Sequence, residues 1–175
     1  NDPKILSAKK TLSEEEFAER FMGVPRPTIG VVFPEFRRSS HVKLSAEYDP
    51  QFPVRLWVDP GYYPSWYSVL WVQIVNGQVR VFDEIYEQHL VNDQVLDIVV
   101  NHKLFHKVER VTIDIAAKAH AGAQHPAFET WRRTVKVPII SNSVKIEYGI
   151  QRTRDKLRVN PIMNQPYIIL HPRVE

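Results

Sequence analysis

The sequence has no cysteine, which excludes a disulfide framework and any zinc site built on thiolates, and which fits a reducing compartment. It has no run of about 18 apolar residues and no charged-then-apolar leader at its start, so no membrane partner is expected. It lacks a G-x-x-x-x-G-K-[ST] phosphate loop and a G-x-S-x-G nucleophile elbow. His89, His102, His106, His120, His125 and His171 show no H-E-x-x-H spacing; His102 and His106 share a turn's spacing but have no evident third ligand and read as surface residues. Internal repeats and low-complexity stretches are also absent. What is present is ordinary for one globular domain: 175 residues, 43% hydrophobic and 25% charged, enough to bury a real core. The chain starts at Asn1 rather than Met and reads as a piece of a larger protein.

Net charge is only +3, but it is unevenly placed. Residues 1–50 carry eight basic and eight acidic side chains, residues 51–130 six and nine, and residues 131–158 eight and two. The basic end suits a polyanion; a solvated helix face is the alternative.

Residues 1–53 read as a linker or docking arm. A capping-box helix is predicted over Thr11–Phe21, and a brief strand-like run, Val31-Val32-Phe33, follows it. The core is predicted from residue 54 onward. Strands are expected at 54–58, 67–75 and 78–86, the last two joined by an Asn76-Gly77 hairpin turn. Helical spacing then covers 93–101, a fourth strand 110–115, a helix 125–132, a fifth strand 137–140, a helix 145–158 and a last strand 167–170. In the last helix, Ile146, Ile150, Thr153 and Leu157 fall along one face. A three-strand antiparallel meander followed by β/α units implies a mixed sheet flanked by helices, the order of ribonuclease-H-like nucleases.

Two strands end on acids. Asp59 follows Leu56-Trp57-Val58 and precedes Pro60-Gly61; Asp114 follows Val111-Thr112-Ile113. If the strands are neighbours, the carboxylates meet, repel, and call for a divalent cation such as Mg²⁺ or Mn²⁺. Two such ions, about 3.5–4 Å apart, suit phosphodiester hydrolysis. For Asp59 the competing role is turn chemistry before Pro-Gly. Asp83 reads as a solvated edge residue or a partner of Arg80 or Arg55, and Glu84 as a candidate outer-shell group. His120 and His125 follow Asp114 within reach of a bound phosphate, or simply occupy a loop. Tyr62, Tyr63, Trp66 and Tyr67 either stack on bases or pack the sheet.

Taken in order, WVDPGYYPSWYSVLWVQIVNGQVRVFDEIYEQ, VTIDIAAKAH and VPIISNSVKIEYGIQRTRDKL resemble the C-terminal nuclease domain of phage large terminase subunits. LSEEEFAERFMGVPRPTIGVVFPEF is similar to the segment joining that family's ATPase and nuclease domains. The resemblance implies a metal-dependent endonuclease, with two Mg²⁺ or Mn²⁺ ions, that cuts concatemeric double-stranded viral DNA with little sequence specificity. It assigns catalysis and metal binding to Asp59 and Asp114, with Asp59 bridging the ions. It also matches Lys145 with Gly149-Ile150 to a K-x-x-x-G-I helix start. Arg132, Arg133, Lys145, Arg152, Arg154, Lys156 and Arg158 are then expected on the DNA backbone. An ATPase domain in the full-length chain, the procapsid portal and the small terminase subunit are the implied partners, and the host cytoplasm during virion assembly the implied location. The family's third ligand comes from a helix after the last strand, and the sequence ends at Glu175, just past YIIL. Asp155 is a poor substitute, so the final acid-bearing helix is expected to be lacking and metal binding to be weak or incomplete. A junction resolvase or transposase-like nuclease of the same fold, or a non-catalytic DNA- or portal-docking module, are the alternatives.

Overall fold

A computed structural model describes residues 31–61, 64–114 and 127–174, and within it Glu35–Glu175 form one compact unit. Its centre is a six-stranded sheet. Strand β1 (Val54–Asp59), β2 (Tyr67–Val75) and β3 (Gln78–Glu87) form the expected antiparallel meander. The hairpin between β2 and β3 turns on Asn76 (φ 51°) and Gly77 (φ 81°), both left-handed as a two-residue turn requires. Helix α1 (Arg38–His41) precedes the sheet, and α2 (Asn92–Val100) crosses to β4 (Val108–Ile113). After these come α3 (Ala127–Thr134), β5 (Ile139–Ile140), α4 (Ile146–Leu157), the short pair β6 (Val159–Asn160) and β7 (Gln165–Pro166), and β8 (Ile168–Leu170). The sheet order is β5-β4-β1-β2-β3-β8, with β4 parallel to β1, β5 parallel to β4 and β8 parallel to β3. This is the ribonuclease-H-like mixed sheet that the element order predicts.

Alternation along β1 buries Val54, Leu56 and Val58 on one face and turns Arg55, Trp57 and Asp59 to the other. Helices α2 and α3 cover the Leu56 face, bringing Val95, Leu96, Val99, Ala127 and Trp131 onto Leu56, Val69, Trp71, Val111 and Ile113. A smaller cluster on the Trp57 face joins Val72, Val81 and Val174 to Trp57, Leu70 and Leu170. Polar groups inside the main core are paired: the Trp131 indole N–H donates to the Tyr67 hydroxyl (2.8 Å), which donates to Asn92 Oδ1 (3.0 Å).

Residues 35–53, part of the lead in the sequence reading, fold onto this sheet. Buried Gln73 of β2 holds them: its Nε2 donates to the carbonyls of Asp49 (2.8 Å) and Phe52 (2.6 Å), and its Oε1 accepts from the Asp49 N–H (2.8 Å). Buried His41 donates from Nε2 to the Leu157 carbonyl (2.7 Å), tying α1 to the end of α4. The helix predicted over 11–21 lies outside the described residues, and Val31–Phe33 forms no strand.

Two sequence expectations change. Strand β4 starts at Val108 and closes at Ile113, so Asp114 stands one residue past the strand rather than within it. The apolar stripe of α4 is not buried as a unit: Leu157 is, but Ile146 is 76% exposed, and Thr153 bonds its hydroxyl to the Gly149 carbonyl (3.0 Å). The helix docks through its last turn, where the Leu157 carbonyl meets His41 and the Lys156 carbonyl accepts from the Tyr167 N–H (3.0 Å).

Tyr67→Phe removes the acceptor of the buried Trp131 N–H. It is expected to cost about 1–3 kcal/mol, read as a fall in the midpoint of urea unfolding at unchanged slope.

Candidate metal centre

Strands β1 and β4 run parallel with Trp57 beside Thr112 and Val58 beside Ile113. One step further, the Asp114 N–H donates to the Val58 carbonyl (2.9 Å), extending the ladder past the end of β4. Asp59 shares the face of Trp57, and Asp114 that of Thr112, so the two carboxylates stand side by side at neighbouring strand tips, with about 5 Å between the strands. Both residues are exposed. They sit at the carboxyl ends of parallel strands, next to the antiparallel partner β2, where open α/β sheets place their ligands.

The tips open into a cleft of ≈ 490 Å³. Trp57, Leu70 and Val144 supply apolar lining, and Asp59, Asp114, Ser68, Thr112 and Asn142 the polar groups. No basic side chain lines it among the described residues. Partial burial of its carboxyl, and then the charge of Asp114, raise Asp59 above its ordinary 3.8. Burial and a neighbouring like charge both disfavour the ionised form of Asp59. The donor set, two carboxylates with hydroxyl and amide oxygens nearby, fits a hard divalent ion that keeps waters and takes substrate phosphate oxygens as further ligands. Among the described residues no three His, Cys, Asp or Glu side chains come together.

The turn after Asp59 has its own constraint. Gly61 packs on the Trp66 backbone so closely that a Cβ would overlap the Trp66 carbonyl.

The remaining candidates scatter. Glu84 lies opposite Leu70 on the Trp57 face, two strands from β1, and does not line the cleft. Asp83 pairs with neither Arg80 nor Arg55: it lies 3.5 Å from His102 Nε2 and 3.9 Å from Arg173. Arg55 instead bonds Glu109 (2.7 Å), its neighbour across the β1–β4 pairing. His102 is no plain surface residue, since its ring packs on buried Trp71 with 3.8 Å between centroids. Asp155 accepts from Gln151 (3.0 Å) on the exposed side of α4. His120, His125, Tyr62 and Tyr63 lie outside the described residues.

The basic set is divided. Arg132 and Arg133 are on α3, which covers the Leu56 face, and Arg132 is 3.9 Å from Glu129. Lys145 caps α4 one residue after the cleft-lining Val144, on the other face. Farther along, Arg152 lies over the Tyr148 ring (5.5 Å), Arg154 near Glu35 (3.8 Å), Lys156 over Tyr167 (4.3 Å) and Arg158 near Asp155 (3.4 Å). Sequence reasoning missed Ser68 and Asn142 in the cleft. Ser68 is legible only once the β1–β2 register pairs it with Asp59.

A raised Asp59 pKa means the folded chain binds more protons than the unfolded chain from pH 3.8 up through the raised value, so stability falls as pH rises across that window. In EDTA, the melting temperature of Asp59→Asn minus that of the parent is therefore expected to grow with pH across it. Added Mn²⁺ is expected to raise the parent's melting temperature and not the variant's. Parallel pH profiles would contradict this electrostatic account.

Comparison with known proteins adds the fold. No protein-family model and no curated protein matches the sequence. Solved structures do. The large terminase of a thermophilic bacteriophage superimposes with a TM-score of 0.60 at 12% identity in one crystal form, over 99% of this chain and 42% of the terminase chain. A second crystal form of the same terminase gives 0.60 at 14% identity, over 96% and 43%. Its complex with ATP-γ-S gives 0.60 at 12% identity, over 99% and 42%. The chain thus spans less than half the length of these terminases and has the fold of that part of a phage large terminase.

Proposed function

We propose that the Asp59–Asp114 centre is the active site of a Mg²⁺- or Mn²⁺-dependent endonuclease that cuts double-stranded viral DNA during genome packaging. The observation that carries the proposal is the pair of carboxylates on adjacent parallel strand tips, in an open cleft that no basic side chain lines among the described residues. A divalent ion bound there supplies a Lewis acid for phosphoryl oxygens and a water of lowered pKa. Asp59 and Asp114 hold their carboxylates at a spacing fixed by the sheet, and the Trp57 and Leu70 side chains give the floor an apolar wall. Lys145 at the cleft's edge, with Arg152 along the same helix, takes phosphates of the duplex without reading bases, so cutting is largely sequence-independent. Arg154 and Arg158 already face acids and contribute less. The likeness to terminases supports the packaging context. In that context the partners are an ATPase domain in the full-length protein, the procapsid portal and the small terminase subunit, in the host cytoplasm.

A second reading, a non-catalytic DNA- or portal-docking module, is favoured by the presence of two rather than three metal-ligating acids among the described residues. The two readings separate in one experiment: nicking of supercoiled plasmid in Mn²⁺ by the parent, Asp59→Ala and Asp114→Ala. The nuclease reading predicts metal-dependent nicking that each variant loses by more than the roughly 10–100-fold typical of an outer-shell partner. Undiminished nicking by both variants would remove the assignment. Salt-sensitive binding with no cleavage in any divalent ion would favour the docking module.

A further inference from the structure

The cross-strand row that carries the two acids continues beyond them. Asp114 lies beside Asp59 on β1, Asp59 pairs with Ser68 on β2, and Ser68 pairs with Tyr86 on β3. Directly paired residues share a face, so Tyr86 rises from the same face as the carboxylates, two strands or about 10 Å from Asp59. Its ring stacks on that of Trp66, with 4.6 Å between centroids and 10° between planes. Neither ring belongs to a core cluster; Trp66 remains 44% and Tyr86 47% exposed. By contrast Tyr67, the next residue, is fully inside the main core.

The pair is built into the centre. Gly61, two residues after Asp59, packs on the Trp66 backbone where no Cβ fits. Gln88, one residue past β3, donates from Nε2 to the Pro64 carbonyl (2.7 Å) and fixes the same loop from the other side. The turn that ends β1 at Asp59 therefore also sets the place of Trp66.

A phosphodiester brought to the two carboxylates finds no basic side chain lining the cleft among the described residues. Beyond the phosphate contacts of Lys145 and Arg152, uncharged contacts add affinity close to the bond to be cut. Exposed aromatic rings supply such contacts, because every base presents a π-face regardless of its identity. Inside a duplex both faces of a base are already covered by its neighbours, so the platform is closed to internal pairs and open to unpaired bases.

We propose that Trp66 and Tyr86 form a stacking platform for unpaired nucleobases of the strand being cut, about 10 Å from the carboxylates that face the scissile phosphate. The position of that phosphate rests on the nuclease reading of Asp59 and Asp114; the stacking itself does not. The substrate class becomes frayed, gapped or locally melted DNA in preference to perfect duplex.

The test measures binding in EDTA, where the metal centre plays no part. The 175-residue chain is titrated against a labelled duplex with a short unpaired tail carrying 2-aminopurine, and against a fully paired duplex of equal length. The parent is expected to favour the tailed DNA by about 5- to 150-fold, the range for loss of one stacked base, and to quench the 2-aminopurine. Trp66→Ala and Tyr86→Ala are expected to abolish preference and quenching, while Trp66→Phe and Tyr86→Phe keep both. A parent without preference or quenching overturns the platform, as do alanine variants that melt like the parent and keep both. Should the alanine variants not fold, quenching by the parent and its retention in the phenylalanine variants decide. Failure of the platform in EDTA leaves plasmid nicking untouched, and failure of nicking leaves the EDTA binding untouched.

Discussion

The Asp114 N–H bonds the Val58 carbonyl at 2.9 Å, and that bond fixes how two parallel strand tips lie against each other. Most of what the molecule does at this edge depends on it. Slipping β4 by one residue would send Asp114 to the opposite face and put Ile113 beside Asp59. With the observed register, two like charges share one tip of the sheet, and the Asp59 carboxyl is raised by its partial burial and by Asp114. Both effects disfavour the ionised form of Asp59. Among the described residues no basic side chain lines the cleft.

The surrounding structure holds this edge rigid from behind. The Leu56 face is sealed by α2 and α3, with the Trp131–Tyr67–Asn92 hydrogen bonds joining both helices to β2, whose Ser68 is the next rung beside Asp59. On the other face Val174 packs with residues of β1, β2, β3 and β8, and a cleft opens at the tips of β1 and β4. Gly61 does the local work at the turn after Asp59, allowing the chain to fold back onto Trp66.

Much of this is legible in the sequence because it rests on local signals. β-Branched runs, the Asn76-Gly77 turn and acids at strand ends each write their structure in a few adjacent residues. The order of elements is then enough to make the first and fourth strands neighbours. What escapes a reading of the sequence has no local signature. Gln73 and His41 hold partners 24 and 116 residues away, and nothing around them signals burial. The stripe on α4 has good helical periodicity, but periodicity does not reveal that Leu157 is buried while Ile146 stands 76% exposed. For Asp83 the sequence suggests nearby arginines, while its partners, His102 and Arg173, come from distant segments. The strands β6 and β7 are two residues each, too short to alternate. Nor does the sequence tell which of the adjacent aromatics lies inside: Tyr67 is buried and Trp66 is 44% exposed.

The central claim is that the two carboxylates are one ion-binding site. The most direct measurement is anomalous diffraction from crystals of the chain soaked in Mn²⁺. The account predicts a peak at about 2.0–2.5 Å from a carboxylate oxygen of Asp59 and of Asp114, with waters completing the shell. Density held by other residues, or a clean map at the strand tips with Mn²⁺ present in excess, would contradict it.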